Sequence, residues 1–307
     1  MLKNKKILVT GGAGFLGSYV VDNLCQQNNV VVPRSSEFDL RNIFSAEKLI
    51  RFGNFDIILH LAAKVGGIGF NQKNPVQLCQ DNLLMGINVL DCAARYNVPK
   101  VVVVGTACSY PKFVALPFKE EEIWNGYPEE TNAPYGIAKK TILTLGQAYH
   151  DEGHNFISLI PANLYGPRDN FNLFSSHVIP ALIRKFSEAK KKDLSSVSLW
   201  GDGSPTREFL YVEDAAEGIL LATEKYNERE PINLAANSEI SIADLAFKIK
   251  DLIDYQGEIF WDLSKPNGQP RRRLDNEKAK IKFGFEAQTD LNSGLRKTIS
   301  FFEQKML

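Results

Sequence analysis

The most evident chemistry in this sequence is a tyrosine and a lysine four positions apart, Tyr135 and Lys139, within the segment 134–139. If the segment is helical, residues four apart lie on one face, one turn from each other. An ammonium beside a phenol favours the phenolate, so we expect Lys139 to lower the pKa of Tyr135 towards the range of an acid/base catalyst. The spacing alone is also common on helix surfaces, and its meaning depends on its surroundings.

A glycine-rich segment supplies that context directly after the first predicted strand. Gly11, Gly14 and Gly17 allow a tight turn, close approach of the backbone to a pyrophosphate, and close packing of a helix on a strand. The following helix N-terminus presents free N–H groups and a positive dipole end to an anion. Strand, turn and helix in this order predict a dinucleotide-binding turn, with a ligand-free turn as the alternative.

The residues after the second predicted strand bear on which dinucleotide binds. NAD-binding versions of this turn place a carboxylate there, to hold the ribose hydroxyls. This sequence instead has Arg34, Ser35 and Ser36, which suit a 2′-phosphate better. The sequence therefore favours NADP(H), although Arg34 as a solvated loop cation is the alternative.

Short apolar runs must form the elements that position these groups. Five of them alternate with helical patterns, at residues 6–10, 30–33, 55–61, 100–105 and 156–162. Runs that are apolar on both faces and separated by helices indicate a parallel sheet covered on each side. We therefore predict an α/β fold, a Rossmann-like doubly wound parallel sheet with a smaller, partly C-terminal α/β substrate lobe.

After residue 165 the pattern changes. We expect a helix at 178–189, a strand at 197–200, a return to the first sheet at 208–212, a helix that begins with a capping box at Ser241, and a last helix at 291–304. The predicted NADP-binding domain comprises residues 1–165 and 207–228. The predicted substrate domain comprises residues 166–206 and 229–307.

Composition excludes several classes of protein. The 307 residues are 44% hydrophobic, and 36 basic residues balance 36 acidic ones. A chain without net charge has no global field that attracts nucleic acid or anionic lipid. We find no apolar run of about 18 residues and no signal peptide, so we expect no membrane segment.

The cysteines and histidines bear on location and metal binding. Four cysteines without C-x-x-C spacing indicate free thiols in a reducing compartment, and the cytoplasm is the expected location. Three of them, Cys25, Cys79 and Cys92, are expected in the core. His60, within an apolar run, is expected to be a hydrogen-bonded core histidine. His150 and His154 have no third ligand nearby, so we predict no metal site.

Together these motifs resemble the extended short-chain dehydrogenase/reductase superfamily over essentially the whole chain. The matches are T-G-G-A-G-F-L-G at 10–17, L-A-A at 61–63, the Y-x-x-x-K pair, and R-E-F-L-Y-V-E-D at 207–214. In that superfamily a serine or threonine after the fourth strand binds the substrate oxygen, which implies Thr106 here. The implied cofactor contacts are Gly11, Gly12, Ala13, Gly14, Phe15, Leu16, Gly17, Arg34, Asp39, Leu40, Leu61, Ala62, Ala63, Gly105, Tyr135, Lys139, Pro161, Asn163, Leu164 and His177.

Further segments resemble the GDP-L-fucose synthase family within that superfamily. They are K-V-G-G-I-G at 64–69, C-S-Y-P-K at 108–112, N-L-Y-G-P at 163–167, S-H-V-I-P-A-L at 176–182 and W-G-D-G-S-P-T-R at 200–207. This resemblance implies epimerisation of GDP-4-keto-6-deoxy-D-mannose at C3 and C5, followed by reduction at C4 with NADPH. It implies Cys108 and His177 as base and acid in an order left open. If the motif is set aside, the alternative for Cys108 is a buried side chain that packs in the apolar core. The alternative for His177 is a residue that only stabilises a loop.

Basic and aromatic residues of the smaller lobe are the candidates for binding a GDP-sugar. Arg207 and the run 271–273, represented by Arg271, offer guanidiniums to a diphosphate, and Lys185 adds charge. Trp200 is expected to stack on the base or sugar, with a place in the lobe core as the alternative. Arg207 has its own alternative, an ion pair with Glu208 or Asp214 in a structural network. By analogy with the family we expect a homodimer formed through helices of the first domain.

Three other readings stay open. One is a GDP-mannose 3,5-epimerase-like enzyme, which uses its cofactor only transiently. The second is a GDP-4-keto-sugar reductase that makes a different deoxysugar, against which Cys108 and His177 argue. The third is a cofactor-sensing or scaffold protein that kept the fold without the chemistry.

Overall fold

A computed structural model describes residues 2–306 of the chain. Its strands are β1 Lys6–Thr10, β2 Asn29–Val31, β3 Ile57–His60, β4 Lys100–Val104, β5 Phe156–Pro161, β6 Asn163–Tyr165, β7 Ser196–Trp200, β8 Thr206–Arg207, β9 Phe209–Tyr211, β10 Ile232–Leu234, β11 Ile240–Ser241, β12 Glu258–Asp262 and β13 Arg271–Arg272. Its helices are α1 Phe15–Leu24, α2 Ile43–Gly53, α3 Ile68–Lys73, α4 Pro75–Arg95, α5 Ala133–Asp151, α6 Val178–Lys191, α7 Val212–Lys225, α8 Ile242–Ile253, α9 Glu277–Phe283 and α10 Leu291–Met306.

The main sheet has six parallel strands in the order β10-β5-β4-β3-β1-β2. All residues of β3, β4 and β5 are buried, which explains why these runs are apolar on both faces. The helices form two packed groups, α2 with α4 and α5, and α1 with α7 and α9. The α/β prediction with a Rossmann-like parallel sheet is confirmed.

One strand assignment was wrong. We expected residues 208–212 to return to the main sheet, but β9 pairs in parallel with β6 in a separate two-stranded sheet. The sixth strand of the main sheet is β10, within the range assigned to the substrate domain, and it pairs with β5. Both segments are short and fully buried, so their apolar patterns carry no information about which sheet they join.

The smaller lobe has a core of its own. Buried side chains of α6, α8 and α10 form this second apolar cluster beside the parallel pair β7 and β12. The predicted start of α8 is confirmed, since Ser241 is its N-cap and the Ser241 hydroxyl accepts a 3.0 Å hydrogen bond from the Asp244 amide. The Asp244 carboxylate accepts from the Ser241 hydroxyl (2.6 Å), which differs from the reciprocal bond of a capping box. Residues beyond α8, including Leu274 and Phe285, nevertheless belong to the core of the main sheet. The boundaries of the two domains stay a prediction.

Cysteine and histidine placement partly follows expectation. Cys92 is buried, whereas Cys79 is half-buried and Cys25 is exposed, so the core assignment was wrong for Cys25. His60 is buried, and its Nδ1 lies 2.9 Å from the Thr10 hydroxyl, as expected for a hydrogen-bonded core histidine. Within residues 2–306, no helix is both long and apolar enough to cross a bilayer.

A buried carboxylate joins three parts of the chain. Glu208, only 1% exposed, accepts hydrogen bonds from the amides of Ala236 (3.0 Å), Asn237 (2.6 Å) and Leu274 (2.9 Å). It therefore holds the loop after β10 and the segment after β13 beside β8. The ion pair with Arg207 that the sequence left open is not formed.

We expect Glu208→Ala to lower the free energy of unfolding by about 3 kcal/mol or more, because three buried amides lose their acceptor. Urea unfolding followed by circular dichroism measures the change. Glu217→Ala, which removes an exposed glutamate from α7, is the matched control and should change stability by less than about 0.5 kcal/mol. Similar losses for both variants would contradict this account.

Candidate active site

The glycine turn between β1 and α1 is closed by backbone contacts. Gly11 has φ +71°, and a Cβ added there would lie 2.7 Å from the Ala62 amide nitrogen. A Cβ added to Gly17 would lie 2.1 Å from the Gly11 carbonyl oxygen. The first amides of α1 have no acceptor within the helix. Gly14, the N-cap of α1, has no side chain that could accept hydrogen bonds from them, so they remain available to a ligand. This cradle fits a dinucleotide pyrophosphate, because any side chain would fill the space that the turn needs.

A cavity of about 770 Å³ begins at this turn and extends to the smaller lobe. Most of the predicted cofactor contacts line it: Gly11, Gly14, Phe15, Leu16, Gly17, Leu61, Ala62, Ala63, Gly105, Tyr135, Lys139, Pro161, Asn163, Leu164 and His177. Gly12, Ala13, Arg34, Asp39 and Leu40 lie outside its lining. Their cofactor roles stay predictions.

Two of the outlying positions have structural partners. The Asp39 carboxylate forms an ion pair with Arg41 (2.8 Å), and this hydrogen bond lowers the pKa of Asp39. Leu40 is 7% exposed and belongs to the core of the main sheet. Both side chains are therefore engaged within the protein, and neither contact favours direct binding of a cofactor.

Burial dominates the chemistry of the tyrosine–lysine pair. Tyr135 and Lys139 are buried on α5, and the Lys139 ammonium donates a 2.7 Å hydrogen bond to the Val104 carbonyl. Burial raises the pKa of Tyr135, only partly opposed by a hydrogen bond with Thr106, and it lowers the pKa of Lys139 to about 8. The expectation that Lys139 lowers the phenol's pKa was therefore wrong. The phenol keeps its proton near neutral pH, which suits a proton donor.

The turn after β4 brings a thiol next to this pair. The Thr106 hydroxyl caps the turn Ala107–Ser109 by accepting a 3.2 Å hydrogen bond from the Cys108 amide. The Ser109 hydroxyl donates to the Gly136 carbonyl at 3.0 Å, and a Cβ at Gly136 would lie 2.3 Å from the Cys108 carbonyl oxygen. Helix α5 therefore lies directly against the turn, and the half-buried Cys108 lines the same cavity as Tyr135.

His177 reaches the cavity from the start of α6. The segment before it is fixed by the loop after β3, since the Gly67 amide donates a 3.0 Å hydrogen bond to the Ser175 carbonyl. Desolvation by the surrounding protein lowers the pKa of His177, and the charge of Arg272 lowers it further. The imidazole is therefore held mainly neutral at pH 7, and any proton placed on it is readily given up.

Three of the four predicted substrate contacts line the cavity. The Lys185 ammonium donates to the Ser198 carbonyl at 2.8 Å, and Arg207 lies at the cavity wall, where burial lowers its pKa to about 9. Trp200 is 47% exposed and lines the cavity, so it is not part of the lobe core. These positions suit an anionic ligand with a stacking ring system.

The fourth predicted contact, Arg271, points elsewhere. Its exposed guanidinium forms a bidentate ion pair with Glu239 (3.0 and 2.6 Å), and Arg272 lines the cavity in its place. Successive side chains of a strand point to opposite faces, so only alternate arginines of the run can share a face. The sequence could not single out Arg272 within the run 271–273, because three identical residues do not show which side chain of the strand faces the cavity.

One buried acid also escaped notice. Asp169 is 7% exposed and lines the cavity, and its Oδ2 has no hydrogen-bond partner in the described part of the protein. Burial raises its pKa to about 7. Its position in the loop after β6 gave no motif by which the sequence could single it out.

Comparisons with known proteins agree with this geometry. Residues 7–235 match the model of the NAD dependent epimerase/dehydratase family. A GDP-L-fucose synthase of Sinorhizobium fredii is 41% identical over 304 residues, covering 98% of this chain and 96% of that protein. The NADP-bound crystal structure of a GDP-L-fucose synthetase from Naegleria fowleri has a TM-score of 0.88 at 31% identity, covering 99% of this chain and 95% of that one. A GDP-6-OMe-4-keto-L-xylo-heptose reductase from C. jejuni has a TM-score of 0.92 at 26% identity, covering 99% of both chains.

We expect Gly17→Ala to weaken NADPH binding by about tenfold or more, because the added methyl group forces the turn away from the helix N-terminus. Titration of NADPH fluorescence measures the dissociation constant. Gly146→Ala is the matched control, since a Cβ there meets its nearest neighbour at an ordinary 3.5 Å. Equal affinities for the two variants would show that the turn does not hold the cofactor.

Proposed function

The chain belongs to the NAD dependent epimerase/dehydratase family, and we propose on this basis that it converts GDP-4-keto-6-deoxy-D-mannose into GDP-L-fucose with NADPH. The observation that carries the proposal is one cavity lined both by a carbonyl-handling set, Thr106, Tyr135 and Lys139, and by two proton-transfer groups, Cys108 and His177. The first set suits reduction of a ketone. The second suits inversion of the neighbouring carbons.

Epimerisation uses the acidity of hydrogens beside a ketone. When a base removes the proton from C3 or C5, the electron pair moves onto the C4 oxygen, and hydrogen bonds from Thr106 and Tyr135 stabilise the enolate. Return of a proton to the other face of the ring inverts the carbon. Cys108 and His177 serve as base and acid, in an order that remains open.

Reduction follows at the same oxygen. NADPH supplies the hydride for C4 when it is bound at the glycine turn. Tyr135 then gives its proton to the oxygen, a role that suits a phenol whose pKa is raised by burial. Lys139, held by the Val104 carbonyl, is placed one turn along α5 to orient the tyrosine and the nicotinamide ribose.

We assign binding of the GDP-sugar mainly to residues of the smaller lobe. Arg207 and Lys185 offer charge to the diphosphate, and Trp200 offers an exposed ring for stacking. Desolvated guanidiniums bind phosphate strongly because water competes little for them. The names of the relatives support guanosine as the nucleoside.

A second candidate is a GDP-4-keto-sugar reductase that makes a different sugar without epimerisation. The likeness of the fold to the heptose reductase from C. jejuni favours it. Cys108 and His177 at the cavity favour the first candidate. A GDP-mannose 3,5-epimerase-like activity would use the same residues without net consumption of NADPH.

Incubation of the protein with GDP-4-keto-6-deoxymannose and NADPH in deuterated water separates these functions. We expect GDP-L-fucose that carries deuterium at C3 and C5, with one NADPH consumed per product. A reduced sugar without deuterium would establish the reductase, and deuterium without oxidation of NADPH would establish the epimerase.

In Cys108→Ser, deuterium incorporation should fall at least about 100-fold while NADPH still binds, because proton transfer contributes roughly that factor. Cys25→Ser, at an exposed cysteine, is the matched control.

We also propose a homodimer that forms through α4. Val76, Leu84 and Ile87 are 66%, 45% and 41% exposed along this helix, and apolar side chains exposed together can mark a contact between proteins. Light scattering should give the mass of a dimer, and Leu84→Asp with Ile87→Asp should reduce it to that of a monomer. A monomeric wild type would contradict the proposal.

A further inference from the structure

Arg272 contacts the candidate acid/base thiol directly. Its Nη1 lies 3.4 Å from the Cys108 sulfur, and its side chain is only 6% exposed. Charged side chains are rarely buried without a partner, since their desolvation is costly. The proposed reaction assigns no role to Arg272, so a function for its contact with the thiol is still to be identified.

A glutamine fixes the direction of the guanidinium. The Arg272 Nε donates a 3.0 Å hydrogen bond to Gln269 Oε1. The Gln269 amide in turn donates to the carbonyls of Pro111 (3.2 Å) and Lys112 (3.0 Å), in the segment that follows Cys108. Gln269 therefore ties the strand that bears Arg272 to the loop that bears the thiol, and it sets the distance between the two groups.

The surrounding charges make an anionic partner for Arg272 favourable. Arg272 is in register with Arg207 in the parallel pair of β13 and β8, so their side chains lie on the same face of the small sheet. Their mutual repulsion contributes to the lowered pKa of Arg207. Cys108 also interacts with Arg207 and with the phenol of Tyr135, and its backbone amide donates a hydrogen bond to the Thr106 hydroxyl. Glu129 and Glu239 partly offset the charge of Arg207, and the Cys108 sulfur is the group that the Arg272 Nη1 contacts.

We propose that Arg272, braced by Gln269, is a positioning residue that holds the Cys108 sulfur in place at the cavity for proton transfer. The inference rests on the proposed function, because Cys108 serves there as a proton-transfer group. The guanidinium acts through the sulfur by hydrogen bonding and charge, and it takes no proton itself.

The test measures the reactivity of Cys108 without any substrate. Wild type, Arg272→Met and Arg272→Lys are treated with iodoacetamide at pH 7, and mass spectrometry follows alkylation of each cysteine-containing peptide. Because the thiolate is the reactive form, Arg272→Met should slow alkylation of Cys108 by about tenfold or more. Arg272→Lys should restore the rate to within about threefold of wild type, because it keeps the positive charge. Exposed Cys25 serves as the internal reference in every sample.

Further variants and kinetics separate positioning from folding and from substrate binding. If Arg272→Met does not fold, Arg272→Gln replaces it as the neutral variant, with the same expected loss. Gln269→Leu should slow alkylation of Cys108 less, since it removes only the hydrogen bond that fixes the guanidinium.

In turnover, the neutral variant should lower kcat for deuterium incorporation while the KM for the GDP-sugar changes little. Arg296→Met, on the exposed face of α10, is the matched control.

Unchanged or faster alkylation of Cys108 in the neutral variant would overturn the proposal. A raised KM with unchanged alkylation would do the same, and would make Arg272 a phosphate ligand. Slowed alkylation in a protein whose wild type makes no GDP-L-fucose would leave the contact established and the proposed function wrong. The two failures are therefore distinguishable.

Discussion

The site depends on one close backbone contact, between α5 and the turn after β4. Gly136 has no side chain, and a Cβ there would lie 2.3 Å from the Cys108 carbonyl oxygen. Because the helix can lie this close, Tyr135 and Lys139 share a cavity with Thr106 and Cys108. The hydrogen bond from Ser109 to the Gly136 carbonyl fixes the same contact from the other side. Two chemistries can then act on neighbouring carbons of one ring.

Desolvation, more than charge pairing, sets the properties of the groups in this cavity. It raises the pKa of Tyr135, lowers that of Lys139 to about 8 and lowers that of His177. The outcome is a phenol that keeps its proton and an imidazole that is mainly neutral at pH 7, both lining one cavity. A site built this way combines, at one pH, a phenol suited to donate a proton to a carbonyl oxygen with an imidazole able to exchange protons.

The sequence predicted those features that local patterns encode. Five strands of the main sheet and the glycine turn follow from apolar runs and from residues adjacent in the chain. Features that depend on contacts between residues far apart in the chain were not predicted. These are the place of β10 in the main sheet and the fact that Arg272, not Arg271, lines the cavity. The pKa of Tyr135 was wrong in direction because the charge of Lys139 is visible in a sequence whereas depth of burial is not. Three of the four predicted substrate contacts nonetheless line the cavity.

The contact between Cys108 and Arg272 joins positions 164 residues apart. During synthesis the glycine turn, Tyr135, Lys139 and the thiol leave the ribosome well before β13. The edge strand β10 and its covering residues, including Phe285, also come late. A partly synthesised chain therefore has neither a completed main sheet nor the arginine beside its thiol. On the proposed mechanism, proton transfer at Cys108 therefore requires that synthesis has reached at least β13.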